Sequence, residues 1–236
     1  MAEARAFSPD ANKTELADTA LTKPALLRSI VDALAGENRR SRQVAASVIH
    51  EIATKDPAVL KEFAPELADA LHRPESQTRW EVLGAFEMLV PVDARVIDKA
   101  LPGAETALHD EESGVVRLAA FRLLCAYGAT TSHRSDRVWP LLDEAIRCYH
   151  GDPEFQQMLS SVYKMVSANA SDEVKWAAAD RMEFDSENGK GLLKRRSKSI
   201  VECAPAKRRA KKKAEKAAAA AKEAKEAAEA AAEESS

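Results

Sequence analysis

Few residues in this chain could carry chemistry. His72 and His109 each follow an apolar segment, where an imidazole favours the negative end of a helix dipole. Neither has a third ligand at compatible spacing, so no metal centre is expected there. Cys148 and His150 stand two apart, which on a helix turns them to different faces. Ser160, Ser161 and Tyr163 lack a His or Asp at a motif spacing, and G-x-S-x-G, H-E-x-x-H, G-x-G-x-x-G and G-x-x-x-x-G-K-[ST] are absent from the sequence. Gly189-Lys190-Gly191 is too short for a phosphate loop and reads as a helix end. No catalytic residue, cofactor or metal is expected.

Charge is the more informative chemistry. The net −3 averages over unlike regions: residues 1–193 hold 22 Lys+Arg against 31 Asp+Glu, residues 194–216 hold 11 against 2, and residues 217–236 hold 2 against 5. The basic stretch contains Lys194, Arg195, Arg196, Lys207, Arg208, Arg209, Lys211, Lys212 and Lys213, a density that holds polyanions by counterion release without sequence choice. No aromatic residue interleaves it, so base stacking is not expected. From Pro205 the chain has 14 Ala in 32 residues but no Leu or Ile stripe for a coiled coil, and its charges run against the helix dipole. A frayed helix or a disordered tail is expected from residue 191. No run approaches the roughly 18 apolar residues of a membrane helix, so no membrane contact is expected. The first ten residues lack the anatomy of a secretory signal, and three cysteines at wide spacing make no disulfide framework. A cytoplasmic protein is expected.

Eight glycines, 5% aromatic residues and little alternation of β-branched residues favour an all-α body. Self-comparison shows how that body is organised. Arg42, Arg79 and Arg117 superimpose at offsets of 37 and 38, with Pro65, Pro102 and Pro140 each 23 residues after its Arg, and Leu71, Leu108 and Ile146 following in register. A further 38 residues brings Phe155 into the Arg column. Each unit reads as two helices. The first carries an apolar stripe, as in Val44, Val48 and Ile52. The second starts from a cap at Asp56-Pro57, Asp93 or Ser135-Asp136, and the recurring Pro is expected to bend or restart it. Such a pair cannot bury its stripe alone, so successive pairs must stack.

The runs Ala64-Pro65-Glu66-Leu67 with Thr78-Arg79, and Leu101-Pro102, Leu108, Asp110 and Val116-Arg117, resemble the HEAT repeats over residues 25–185. The resemblance implies a right-handed α-α superhelix, here of about four helix pairs, in which an Asp and an Arg form a ladder between repeats. Only Asp110 fits the Asp column. Arg73 and Cys148 stand at the equivalent places, so an incomplete ladder is expected. The implied function is a non-enzymatic scaffold or adaptor. One HEAT-like family, the alkylpurine-DNA glycosylases, uses aromatic residues with an Asp and an Arg on its concave face, and a HEAT-type chromophore lyase is a further enzyme alternative. The glycosylase reading requires a Trp, a carboxylate and an Arg around one pocket, and the −9 body opposes duplex DNA.

The domain reading is a flexible segment over 1–22, a solenoid over 23–190 and a tail over 191–236. Repeat register brings Asp69, Glu105, Asp143 and Glu144 to nearly one level on the second helices, with Asp180 close by. A negative groove there would attract a basic protein segment. The expected partner is a protein, with nucleic acid through the basic tail as a further partner, and with an intramolecular contact between the tail and the acidic groove.

Overall fold

A computed structural model describes residues 7–206. Among these residues there are eleven α-helices and no strand. The helices are α1 (Lys13–Thr22), α2 (Pro24–Ala33), α3 (Arg39–Lys55), α4 (Ala64–Ala70), α5 (Ser76–Asp93) and α6 (Leu101–Leu108). They continue as α7 (Gly114–Gly128), α8 (Ser132–Cys148), α9 (Phe155–Val166), α10 (Asp172–Asn188) and α11 (Gly191–Glu202). None of the described helices is long and apolar enough to cross a membrane.

The helices form two layers. α1, α3, α5, α7, α9 and α11 each pack on the next odd-numbered helix, and α2, α4, α6, α8 and α10 form a second row behind them. Each first-layer helix is sealed by aliphatic side chains such as Ile49, Ile52, Leu83, Leu89, Leu123 and Leu159, all fully buried. Close approach in the second row depends on small residues: a Cβ on Gly103 of α6 would lie 2.8 Å from the Cβ of Leu71, at the end of α4. The architecture is therefore the stacked solenoid expected from the repeats, with five helix pairs and a closing helix in place of about four pairs.

Both extra elements come from segments that the sequence assigns outside the body. α1 starts on an Asn12 cap, whose side chain accepts from the Thr14 and Glu15 amides at 2.9 and 3.2 Å, and it buries Ala17 and Ala20. The flexible N-terminal segment expected through residue 22 thus gives way to helix at Lys13. At the other end α11 packs on α9 and α10 and buries Ser197, Ile200 and Ala204 around its end. The body extends past the expected boundary at residue 190 because Leu193, Ile200 and Val201 form a short apolar stripe on an otherwise basic helix. Lys207, Arg208, Arg209, Lys211, Lys212 and Lys213 lie outside the described residues.

The recurring prolines act in two ways. Pro65 and Pro102 sit in the first turns of α4 and α6, each preceded by a 3-10 stretch (Pro57–Phe63 and Ala94–Lys99), so the second helix is restarted there. Pro140 lies inside α8, which continues unbroken from Ser132 to Cys148. Asp56 and Asp93 cap their segments as expected. The cap of α8 is Thr131, which accepts from the Arg134 amide at 3.3 Å, and not Ser135-Asp136. Ser135 is buried instead and accepts from the Ser171 amide of the next repeat at 2.9 Å.

Arg42, Arg79 and Arg117 are each the fourth residue of their first-layer helix. Each guanidinium crosses to a carboxylate in the turn before the next first-layer helix. Arg42 reaches Glu75 through Nε at 3.2 Å and through a shorter Nη2 contact. Arg79 reaches Asp110 at 2.7 Å and Arg117 reaches Asp152 at 3.3 Å. Arg117 also donates to the Asp110 carbonyl at 2.8 Å, which joins successive rungs. The ladder is complete over three junctions, correcting the expectation from Arg73 and Cys148. Its acidic members fall at different places in their turns: Glu75 directly before α5, and Asp110 and Asp152 farther back from α7 and α9.

Hydrogen bonding from Arg42 holds the Glu75 carboxyl below its ordinary value, against an opposing contribution from burial. A depressed folded-state value means that the stabilisation is complete above the unfolded carboxyl's pKa and is lost as pH falls through the folded one. The stability gap between the parent chain and Glu75→Gln, measured by urea denaturation, is expected to be widest at neutral pH and to narrow below about pH 4. A gap unchanged on acidification contradicts this account. Ile200→Ala is expected to cost about 2–4 kcal/mol in the same assay, because it opens a cavity between α11 and the body; a cost within experimental error would show α11 to be unanchored.

Candidate interaction face and basic end

The first layer holds one polar cluster. Glu81 of α5 is buried and accepts from Ser47 Oγ at 2.8 Å and from His50 Nδ1 at 2.6 Å, with Gln77 donating to Ser47 at 3.2 Å. His50 lies edge-on to Trp80, with ring centroids 6.1 Å apart. The serine hydroxyl is directed to the carboxylate and not to the imidazole, so the cluster lacks the nucleophile-to-base contact of a catalytic relay. Its effect is to tie α3 to α5. His150 does similar work farther along, pairing with Asp185 at 3.0 Å and packing on Phe155 at 4.8 Å between centroids. Among the described residues no group of three His, Cys, Asp or Glu is placed to hold a metal ion.

The second layer is different, because clefts open between its successive helices. The first lies between α2 and α4 and is lined by Val31, Asp32, Leu34, Glu66, Asp69 and Arg73. The next lies between α6 and α8, with Leu101, Pro102, Glu105, Arg137, Val138 and Leu141 around it and Leu124 of α7 beneath. The last lies between α8 and α10 and contains Trp139, Asp143, Ala177, Asp180 and Arg181.

Three of the four acidic residues singled out from the sequence therefore line clefts, one in each. Asp69 and Glu105 are exposed and make no ion pair with a described residue. Asp143 is held by Arg181, with Nε–Oδ1 at 2.6 Å and Nη2–Oδ2 at 2.9 Å, and Arg147 lies 3.7 Å away. Glu144 is exposed beside Asp143 but does not line the cleft. The face is thus of mixed charge.

Residues not singled out from the sequence complete it. Arg28 crosses to Glu66 at 2.8 Å and Arg137 to Asp98 at 3.2 Å, the same relation as Arg181 to Asp143. Arg28 holds the Glu66 carboxyl below its ordinary value by hydrogen bonding, and Asp143 raises Arg181 in the same way. Opposite charges one repeat apart were the readable signal for all three pairs. As surface pairs open to solvent they add little stability, so their main effect is to orient side chains at the cleft mouths.

At the C-terminal end α11 turns its apolar side onto α9 and α10, which leaves Lys194, Arg195 and Lys198 exposed and Arg196 half-buried. Lys194 donates to the Glu187 carbonyl at 2.8 Å.

No protein-family model matches the chain, and no curated protein matches it. Solved structures do. A designed armadillo repeat protein in complex with the peptide (KR)4 matches with a TM-score of 0.67 at 13% identity, covering 82% of this chain and 90% of the other. A computationally designed armadillo repeat protein for modular peptide recognition matches with a TM-score of 0.65 at 15% identity, over 82% of this chain and 90% of that one. The archaeal HEAT-like repeats protein from Thermococcus onnurineus NA1 matches with a TM-score of 0.49 at 12% identity, over 83% and 93%. This chain has the HEAT/armadillo-like repeat fold, an α-solenoid of stacked helix pairs.

Proposed function

We propose that the chain is a non-enzymatic scaffold whose second-layer face takes an extended, basic segment of a protein partner. The observation that carries this reading is the repetition of clefts along one face, each with at least one carboxylate: Asp32 and Asp69 in the first, Glu105 in the next, Asp143 and Asp180 in the last. An extended chain advances about 3.3 Å per residue and presents side chains to alternate sides, so a peptide with repeated cations offers one to each cleft in turn. The apolar linings, Leu34, Leu101, Leu141 and Trp139 among them, suit the methylene stems of Lys and Arg. A designed armadillo repeat protein of similar fold binds a peptide of alternating Lys and Arg, which supports the same mode here.

Binding is tested by fluorescence anisotropy with a labelled alternating Lys-Arg peptide. The full chain is expected to bind it at low salt, and Asp69→Asn combined with Glu105→Gln is expected to weaken binding about tenfold, from roughly 1.4 kcal/mol of lost attraction. The basic residues 207–213 are themselves such a segment, so a chain ended after Ala206 is expected to bind the peptide more tightly than the full chain. No binding, or binding indifferent to both carboxylates, refutes the reading.

One observation favours a second reading. Trp139, Asp143 and Arg181 share one cleft, the combination required for a glycosylase-like site. The bidentate pairing of Asp143 with Arg181 favours the scaffold, because it occupies the carboxylate that would serve chemistry. Release of free base from alkylated duplex DNA by the full chain, abolished in Asp143→Asn, would replace the scaffold reading with base excision.

A further inference from the structure

We infer that the C-terminal end of the solenoid is a nucleic-acid grip in which α11 presents a rigid row of cations to the phosphate backbone. The inference goes beyond the peptide-binding reading, since it concerns another surface and a ligand of opposite charge.

Many arginines elsewhere in the body are paired across repeats. Arg28, Arg42, Arg79, Arg117, Arg137 and Arg181 each meet a carboxylate from a neighbouring repeat. Arg39, Arg73 and Arg134 stand outside this pattern singly, whereas on α11 four cations do so together. Lys194, Arg195, Arg196 and Lys198 make no ion pair with a described residue, although they stand within five consecutive positions. The one hydrogen bond among them, Lys194 to the Glu187 carbonyl, leaves the ammonium charge uncompensated. Arg196 Nε is buried with no acceptor. Lys194 and Lys198 are four apart on the helix, where like charges repel. A helix that keeps this repulsion on its outer side has a surface suited to an external polyanion.

Anchoring decides the geometry. Ser197, Ile200 and Ala204 are buried around the end of α11, and Cys203 Sγ lies 3.5 Å from Ser167 Oγ just past the end of α9. The exposed cations are therefore carried by the folded body. Six further cations follow within ten residues of Cys203 (Lys207, Arg208, Arg209, Lys211, Lys212 and Lys213), so the fixed row and the added charge are contiguous in the chain.

Phosphate backbone fits this surface better than an anionic membrane does. Leu193 and Ile200 on the apolar side of α11 are spent on α9 and α10, and the exposed Leu192 alone makes no face for insertion into lipid. It also fits better than an acidic protein, which would be expected to dock around a larger apolar anchor than Leu192, since no apolar side chain stands among Lys194, Arg195 and Lys198. Without an aromatic residue in 194–216 the grip reads charge density and not base identity.

The test uses the full chain and a fluorescein-labelled DNA duplex of about 20 base pairs and arbitrary sequence, long enough to cover the row at one charge per ~1.7 Å. Anisotropy is followed across a salt series. Binding is expected at low salt, with log K falling linearly against log salt by about 0.9 per phosphate neutralised. The full-chain variant Lys194→Ala, Arg195→Ala, Lys198→Ala is expected to bind at least tenfold more weakly and to flatten that slope by about 2–3. Its circular dichroism should match the parent, because these side chains are exposed; should the triple variant lose helix, Arg195→Glu alone tests the same face. A single-stranded RNA of arbitrary sequence that binds with a similar salt slope and the same loss in the variant supports the inference. The inference is overturned if the duplex does not bind, or if the α11 variant binds unchanged while Lys211→Ala, Lys212→Ala, Lys213→Ala abolishes binding. It is also overturned if phosphatidylserine-containing vesicles bind and nucleic acid does not. Failure here leaves the peptide measurement untouched, since that one reads Asp69 and Glu105.

Discussion

The stack depends on a guanidinium that its own repeat cannot satisfy. Arg42, Arg79 and Arg117 each enter at the fourth position of a first-layer helix and sit largely out of water. A charge in that setting is strongly unfavourable without a partner, and the partner always belongs to the next turn along. Glu75 and Asp110 are still more buried than the arginines that reach them. Apolar stripes would allow neighbouring pairs to slide or rotate by a residue or so with small loss. The buried ion pair does not, because a slip strands both charges. Greasy contact makes the repeats associate, and the rungs fix the register in which they do so.

Register in turn makes the second layer usable. Long first-layer helices meet along their length and fill the space between them, down to the contact of His50 with Gly84, where an added Cβ would lie 2.7 Å from the ring. In the second layer α4 and α6 are short and restarted by proline after a 3-10 turn, whereas α8 and α10 match the longer first-layer helices. Second-layer side chains bracket clefts instead of interlocking, and Arg28, Arg137 and Arg181 reach across at the mouths. Structural charge is thereby concentrated in the turns, and adaptable charge on the open face.

The sequence made the architecture legible through two kinds of residue, the Arg column and the Pro column, because both occupy positions fixed by helix geometry. Fixed offsets failed for the carboxylates. Glu75 directly precedes α5, whereas Asp110 and Asp152 stand farther back from α7 and α9, because an arginine's reach lets carboxylates at several positions of the turn meet it. The ends were misjudged for a related reason. α1 is built on Ala17, Ala20 and other small residues, and α11 hides a three-residue apolar stripe among five charges, so neither stands out by composition although both are buried on one side. The acidic positions Asp69, Glu105 and Asp143 were placed at the clefts by repeat register alone; that Arg181 covers Asp143 depends on side-chain reach, which register does not report.

Sequence register puts Phe155 in the arginine column, but the fourth position of α9, where the three preceding first-layer helices carry arginine, is Met158, and among the described residues the seam between α9 and α11 has no rung of this kind. That seam rests on Ile200, Met158 and their neighbours, with Ser171 and His150 as polar ties to the flanking helices. In a linear array coupled only to nearest neighbours, cooperativity is a property of each joint. Here both terminal joints, α1 on α3 and α9 on α11, lack the rung among the described residues. The rungs therefore lock the middle of the array, while α11 at one end is held by its long packing against α10.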